Sequence, residues 1–307
     1  VGRLAAAGLP MTLPWRWRAW ILAAIGTMLG TSFAPSTAGL VLAWWPSILV
    51  MLALTALFTL ATRAALRRLT DLDPASAFLA AVPGGLALAA TLADEIGAQT
   101  GRIALYHLVR LLFVLVLAPA AIRVGLGADT FDESFRLADR QADLESLLIL
   151  AGLTAAGYLL ARLWRFPAAL LLLPMLVSAG AHAGGLVDTD LPGLAVILAQ
   201  VVIGANIGLR LCASDWRSLR ADAPLAAIVA VALTLAALAA AVLAATWLDA
   251  PALPLLLSYL PGGAPEMGVV ALAIGADPAM VAVHHALRLA AILVLVPFAL
   301  RALSGRA

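Results

Sequence analysis

Lysine is absent from this 307-residue chain, cysteine occurs once, tyrosine three times, and charged side chains make up only 12% of it. Each shortage excludes something. The lone Cys212 rules out an internal disulfide and any metal centre built on paired thiolates. So little charge cannot supply the polar shell of a sizeable soluble domain. All 19 basic residues are arginine, scattered in short clusters between apolar runs, and the formal net charge is only +2. Such clusters belong to loops that orient a chain in a membrane, so nucleic acid is not an expected partner. There is no HExxH and no glycine-rich phosphate loop. The opening "VGRLAAAGLPMTLPWRWRAW" lacks the order of a cleavable signal peptide.

What remains is apolar. Hydrophobic residues make up 64% of the chain, and the mean hydropathy is +1.05. No charge occurs between Arg18 and Arg63 or between Asp222 and Asp249. Runs of that length cross a hydrocarbon core of about 30 Å, which takes roughly 20 helical residues. The expected fold class is therefore an all-α polytopic membrane protein in the lipid bilayer. About eight spans are expected, at 19–35, 39–62, 101–123, 144–162, 167–183, 191–211, 223–248 and 279–300. The eight tryptophans lie mostly near span ends, as in an aromatic belt.

Sliding the sequence on itself gives one dominant offset, 178 residues, without gaps. Pro83-Gly84-Gly85 falls on Pro261-Gly262-Gly263, Gly97 on Gly275, His107 on His285, Arg110 on Arg288 and Pro119 on Pro297. Over 83–119, 15 of 37 positions are identical, against roughly one in eight expected from composition. Upstream, Gly26 and Gly30 fall on Gly204 and Gly208. The division that follows is a first repeat over 1–125, an acidic extracytoplasmic linker over 126–143 and a second repeat over 144–307. Two apolar segments, 144–163 and 167–183, precede the matching region of the second repeat. Their counterparts would lie ahead of residue 1, so the first repeat is expected to lack its first two helices here.

The segments around the two Pro-Gly-Gly breakers, 75–96 and 253–275, need separate treatment. If each enters and leaves on one side as a re-entrant hairpin, the arginines at 16, 18, 63, 67, 68, 162, 165, 210, 217, 220, 301 and 306 all fall in the cytoplasm. The acidic stretch 127–135 then falls outside, the C-terminus is cytoplasmic, and the repeats have opposite orientation. Inverted repeats with interrupted helices are a recurrent secondary-transporter architecture. The other reading is two proline-kinked full crossings.

Broken backbone at bilayer depth survives only where protein or a water-filled cavity covers it. Its free N–H groups suit an anion. The candidate binding residues are accordingly Pro83, Gly84, Gly85, Pro261, Gly262 and Gly263. With them go the i, i+3 pairs His107/Arg110 and His285/Arg288, which share a helix face. The arginines either belong to a site or lock the fold by pairing with Glu95, Glu266 or backbone carbonyls. Glu266 has no acidic counterpart, since Leu88 stands in its place. It can bind a cation, carry a proton, or simply favour a helix start. His284 and His285 are adjacent and point about 100° apart, which suits no shared metal ion. Neither a metal nor another cofactor is expected, and no catalytic residue.

With "PGG" in both halves, "LPGGAPEM" around Glu266, "HHALRLAAILVLVP" after it and "FPAALLLLPML" at 166–176, the sequence resembles the bacterial membrane AbrB family, built on a duplicated domain. The resemblance covers essentially the whole chain. It implies a multi-pass protein of the bacterial inner membrane, in a family labelled either ammonia monooxygenase or regulator of gene expression. The first copy, "VPGGLALAA", departs from the pattern at the position of Glu266. Copper or iron ligands for a monooxygenase are not offered. The expected function is a non-enzymatic secondary transporter or permease for a small anionic or organic solute. The alternative is a membrane-embedded sensor or regulator, and a homo-oligomer fits either.

Overall fold

The computed structural model describes residues 15–83, 86–126, 141–164, 166, 168–189, 191–212 and 220–304. Among them there are thirteen α-helices and no strand. The chain is an all-helical polytopic membrane protein, with five helical stretches among the described residues long and apolar enough to cross a bilayer. The first repeat supplies α1 (Trp15–Gly30), the short α2 (Pro35–Val41) running through a 3₁₀ turn into α3 (Trp45–Leu69), then α4 (Pro74–Ala81), α5 (Leu86–Glu95) and α6 (Thr100–Leu126). The second supplies α7 (Leu144–Leu163), α8 (Ala169–Ala183), α9 (Gly193–Cys212), α10 (Ala223–Leu248), α11 (Ala252–Tyr259), α12 (Ala264–Ala273) and α13 (Pro278–Ser304).

Among the described residues five stretches reach spanning length, and shorter apolar helices, including α8, accompany them. Gly185, in left-handed backbone at φ 65°, turns the chain just beyond α8. The linker expected at 126–143 lies almost wholly outside the described residues.

Both Pro-Gly-Gly segments are broken into half-helices of 8 and 10 residues, about 12 and 15 Å long and thus about half a bilayer each. The second half-helix ends the same way in each copy. Gly97 and Gly275 both take φ +66°, and the N–H groups of Ala98 and Ala276 reach back to the carbonyls of Ala93 and Ala271. Only glycine adopts that left-handed position without strain, so the repeated glycine is a repeated helix stop.

The two halves then cross-pack. The early part of α6 lies against the α4–α5 hairpin, where Ile103, Leu105, Tyr106 and Val109 share a core with Leu79, Val82 and Ala89. The later part carries Val114, Ala118 and Ile122 into the core around α11 and α12. In α13 the order is mirrored. Met280 and Val281 pack with α11–α12, whereas Ile292, Val296 and Leu300 pack with α4–α5. Residues 114, 118 and 122 plus 178 are 292, 296 and 300. The buried face of each long helix is therefore duplicated residue by residue.

Candidate functional site

Pairing order along the helices gives the course of each breaker. His107 meets the carbonyl of Leu79 at 2.9 Å, and one turn deeper Arg110 donates to Val82 at 2.9 Å and Ala81 at 3.4 Å. Early residues thus meet early and late meet late, so α6 runs parallel to α4, and α5 between them must run back. The mouth confirms the return: the Gln99 N–H, just after α5, donates to Ser76 Oγ in the first turn of α4 at 2.9 Å. The second copy repeats the pattern. His285 meets Leu257 at 3.0 Å, and Arg288 donates to Leu260 at 2.8 Å and Gly262 at 2.7 Å. Leu79 and Val82 plus 178 are Leu257 and Leu260. Each breaker is a helical hairpin, not a kinked rod.

The reason arginine stands at these depths is now visible. A half-helix leaves its last carbonyls without intrahelical donors, and in an apolar interior each would cost about 1–3 kcal/mol. Arg110 and Arg288 supply the donors for both hairpins, as cations at a helix C-terminus. Of the pairings considered for them, backbone carbonyls are the ones observed. Each arginine also donates to the Nδ1 of its histidine. An arginine can only donate, so Nδ1 must accept and the ring hydrogen resides on Nε2, directed at the Leu79 or Leu257 carbonyl. Both histidines are thereby neutral and fully engaged. All four side chains are buried, from 1% exposed at His107 to 4% at Arg110.

Two buried guanidiniums thus stand behind the two tips. Their described partners are carbonyls and imidazoles rather than carboxylates. The Nε of Arg110 has no hydrogen-bond partner among the described residues. Pro83 and Pro261 are both buried beside the tips. Gly84 and Gly85 lie outside the described residues.

The second tip is the more polar one. Gly262 and Gly263 lead into α12, whose first turn holds Glu266. Glu266 is half-buried, and its carboxylate folds back against Gly263, occupying the space a Cβ there would need. That is the posture of an N3 carboxylate over a helix start. Two residues that the sequence reading passed over join it. Ser258 and Tyr259, at 0% and 2% exposure, end α11 with hydroxyls that lack partners among the described residues. Their counterparts are Ala80 and Ala81. The signal was a "SY" before the breaker in one repeat and "AA" in the other.

His284 turns away from this cluster. Its Nδ1 donates to the Met280 carbonyl at 2.8 Å, and Nε2 lies 2.9 Å from Ser47 Oγ on α3. The adjacent histidines address different helices. Among the described residues no group of three His, Cys, Asp or Glu side chains is placed to hold a metal ion. On another face, Arg102 bridges Asp71 at 2.6 Å and Asp222 at 2.8 Å, tying α6 to the start of α10. The hydrogen bond from Arg102 holds Asp71 below the ordinary carboxylate value of 3.8.

The chain is 28% identical over 300 residues to "Uncharacterized protein YhjN" of Bacillus subtilis, covering 92% of this chain and 77% of that protein. It is also 28% identical over 305 residues to "Putative regulator AbrB" of Escherichia coli, covering 97% and 85%. No solved structure matches. The family described as "Transition state regulatory protein AbrB" matches residues 1–304, and with that the duplicated, hairpin-bearing chain belongs to the AbrB family.

Proposed function

We propose that this AbrB-family membrane protein is a secondary transporter for a small anionic or organic solute, with its site between the two Pro-Gly-Gly tips, and that it is not an enzyme. One observation carries the reading: two broken hairpins, each clamped by a buried His/Arg pair, hold two guanidinium charges in the interior. Their positive potential attracts an anion, and the α5 start, which has no acidic residue in its first turn, adds free N–H groups. Ser258, Tyr259 and Glu266 supply polar contacts at the other tip, with Glu266 as the proton carrier. The histidines are structural, since both ring nitrogens are engaged.

The cross-packing supports inverted repeats: α6 passes from the first hairpin to the second, and α13 passes back. Hairpins entering from opposite faces of the bacterial inner membrane, with the C-terminus cytoplasmic, fit the arginine distribution. The printed name of the Escherichia coli relative favours a second reading, a membrane-embedded regulator that binds its ligand without moving it.

The test is flux of small organic acids into proteoliposomes driven by a pH gradient. Glu266→Gln should abolish proton-coupled flux, and Arg288→Lys should weaken it. Flux unchanged by both would overturn the transport mechanism. Ligand binding without flux, with a soluble protein co-purifying, would favour the regulator.

A further inference from the structure

We infer that Glu266 is an internal competitor for the solute: its carboxylate and that of a short-chain carboxylic acid alternate at the start of α12, and a proton on Glu266 decides which is there. The inference rests on the site proposed above and names its solute class and its coupling. The α12 start cannot cap itself. Its N-cap, Gly263, has no side chain, and the first intrahelical bond runs from the Met267 N–H to the Gly263 carbonyl at 3.0 Å. The N–H groups ahead of Met267 need an acceptor from elsewhere. The carboxylate of Glu266, folded back against Gly263, is placed as that acceptor.

The same tip holds donors that a helix cap does not use. Ser258 and Tyr259 are 0% and 2% exposed, and their hydroxyls have no partner among the described residues. Tyr259 shares a core with Met267 in the first turn of α12. Between the hydroxyls and the helix start, Arg288 fixes the Leu260 and Gly262 carbonyls. Helix N–H groups, two buried hydroxyls and the guanidinium behind them together suit a carboxylate. Glu266 presents one on a two-carbon arm, the chemical equivalent of propionate. The first copy lacks both sides of the competition: Leu88 replaces Glu266, and Ala80 and Ala81 replace the hydroxyls.

Two carboxylates at one helix start repel. A proton from water turns Glu266 into a neutral acid, which the helix start no longer holds, and the solute carboxylate takes the N–H groups. One proton and one monoanion thus enter together, and departure of the anion restores the ionised Glu266. No other acid occurs in α12 or in the four helices packed on it, α1, α9, α11 and α13. Of other titratable side chains, α11 brings Tyr259, α13 brings His284, His285, Arg288 and Arg301, and α1 and α9 bring Arg16, Arg18, Arg210 and Cys212. Both histidines have their two ring nitrogens hydrogen-bonded. Asp277, in the loop after α12, caps α13 through the Ala279 and Met280 N–H groups. The proton therefore goes to Glu266.

The experiment is a calorimetric titration of propionate into the purified protein in detergent. Wild-type affinity should fall roughly tenfold per pH unit as the pH rises past the titration of Glu266. Glu266→Gln and Glu266→Ala should keep the low-pH affinity at every pH, and propionate should raise the melting temperature of Glu266→Ala throughout. Adding Ser258→Ala to Glu266→Gln should weaken binding about fivefold, which places the anion at this tip. Loss of binding in both Glu266 variants overturns the inference, because Glu266 would then hold the solute itself. So does wild-type pH dependence persisting in Glu266→Gln, and so does failure of all three proteins to bind propionate. Organic-acid flux alongside any of these results removes the competition and leaves transport standing. Binding as expected, but without wild-type flux, removes transport and leaves the competition.

Discussion

Arg288 and Glu266 sit a few residues from the same tip and do different work. Arg288 gives hydrogen bonds to two hairpin carbonyls and to His285. Replacing it with alanine strands those carbonyls in an apolar interior. A loss on the order of 3–5 kcal/mol is expected, read as a lower melting temperature in detergent, and Arg288→Lys should recover part of it by serving one carbonyl. Glu266 is half-buried at a helix start, where a carboxylate contributes only about 0.3–1 kcal/mol. Glu266→Gln should therefore melt near the wild type while losing coupled flux, a separation that a purely structural glutamate would not show. Asp71 adds a pH effect of known sign. Its carboxyl is held below 3.8 in the folded state, so its contribution is present above about pH 4 and is lost as the pH falls through the lowered value. Asp71→Asn should flatten the acid limb of a stability-against-pH curve.

At the scale of elements, the glycines separate two kinds of helix surface. Gly26 faces the Leu171 backbone, which cannot move aside, so Gly26→Ala should destabilise by about 1–3 kcal/mol. Gly204→Ala should be neutral or stabilising by up to about 1 kcal/mol, because alanine is the better helix former and no atom of the described residues lies within 4 Å of the added Cβ. Thermal melts of the two variants side by side would check the contrast. Both glycines read identically in the sequence, as small residues at a four-residue spacing. The hairpins were more legible, since Pro-Gly-Gly with a following Gly97 or Gly275 marks a break and a stop by local backbone chemistry alone. The partners of Arg110 and Arg288 were not legible: a buried arginine announces that it needs acceptors, but carbonyls carry no residue signature.

Across the whole molecule, the repeats are not separate bodies. Helices α6 and α13 each serve their own hairpin with one half and the other repeat's hairpin with the next, and α7–α8 cross over to α1. Arg102 adds a polar link, reaching from α6 to Asp222, which is 7% exposed, and to Asp71, which is 88% exposed. Of these two contacts the buried one should dominate, because exposed ion pairs contribute little. Asp222→Asn should thus lower the melting temperature clearly more than Asp71→Asn at neutral pH. Comparable losses would mean that the link to α10 is not what holds this end together.

Much was determined by the sequence by itself: a membrane protein, because apolar runs of spanning length leave no alternative; a duplication, because identity persists at one offset; and two interruptions of helix, because proline followed by paired glycines breaks one by local backbone chemistry. Those are local or statistical properties of the chain. Tertiary structure alone decided that each break is a hairpin, which carbonyls the arginines serve, that Ser258 and Tyr259 join the second tip, and that α7 and α8 pack on the opposite repeat. Each of these depends on bringing together residues far apart in the chain.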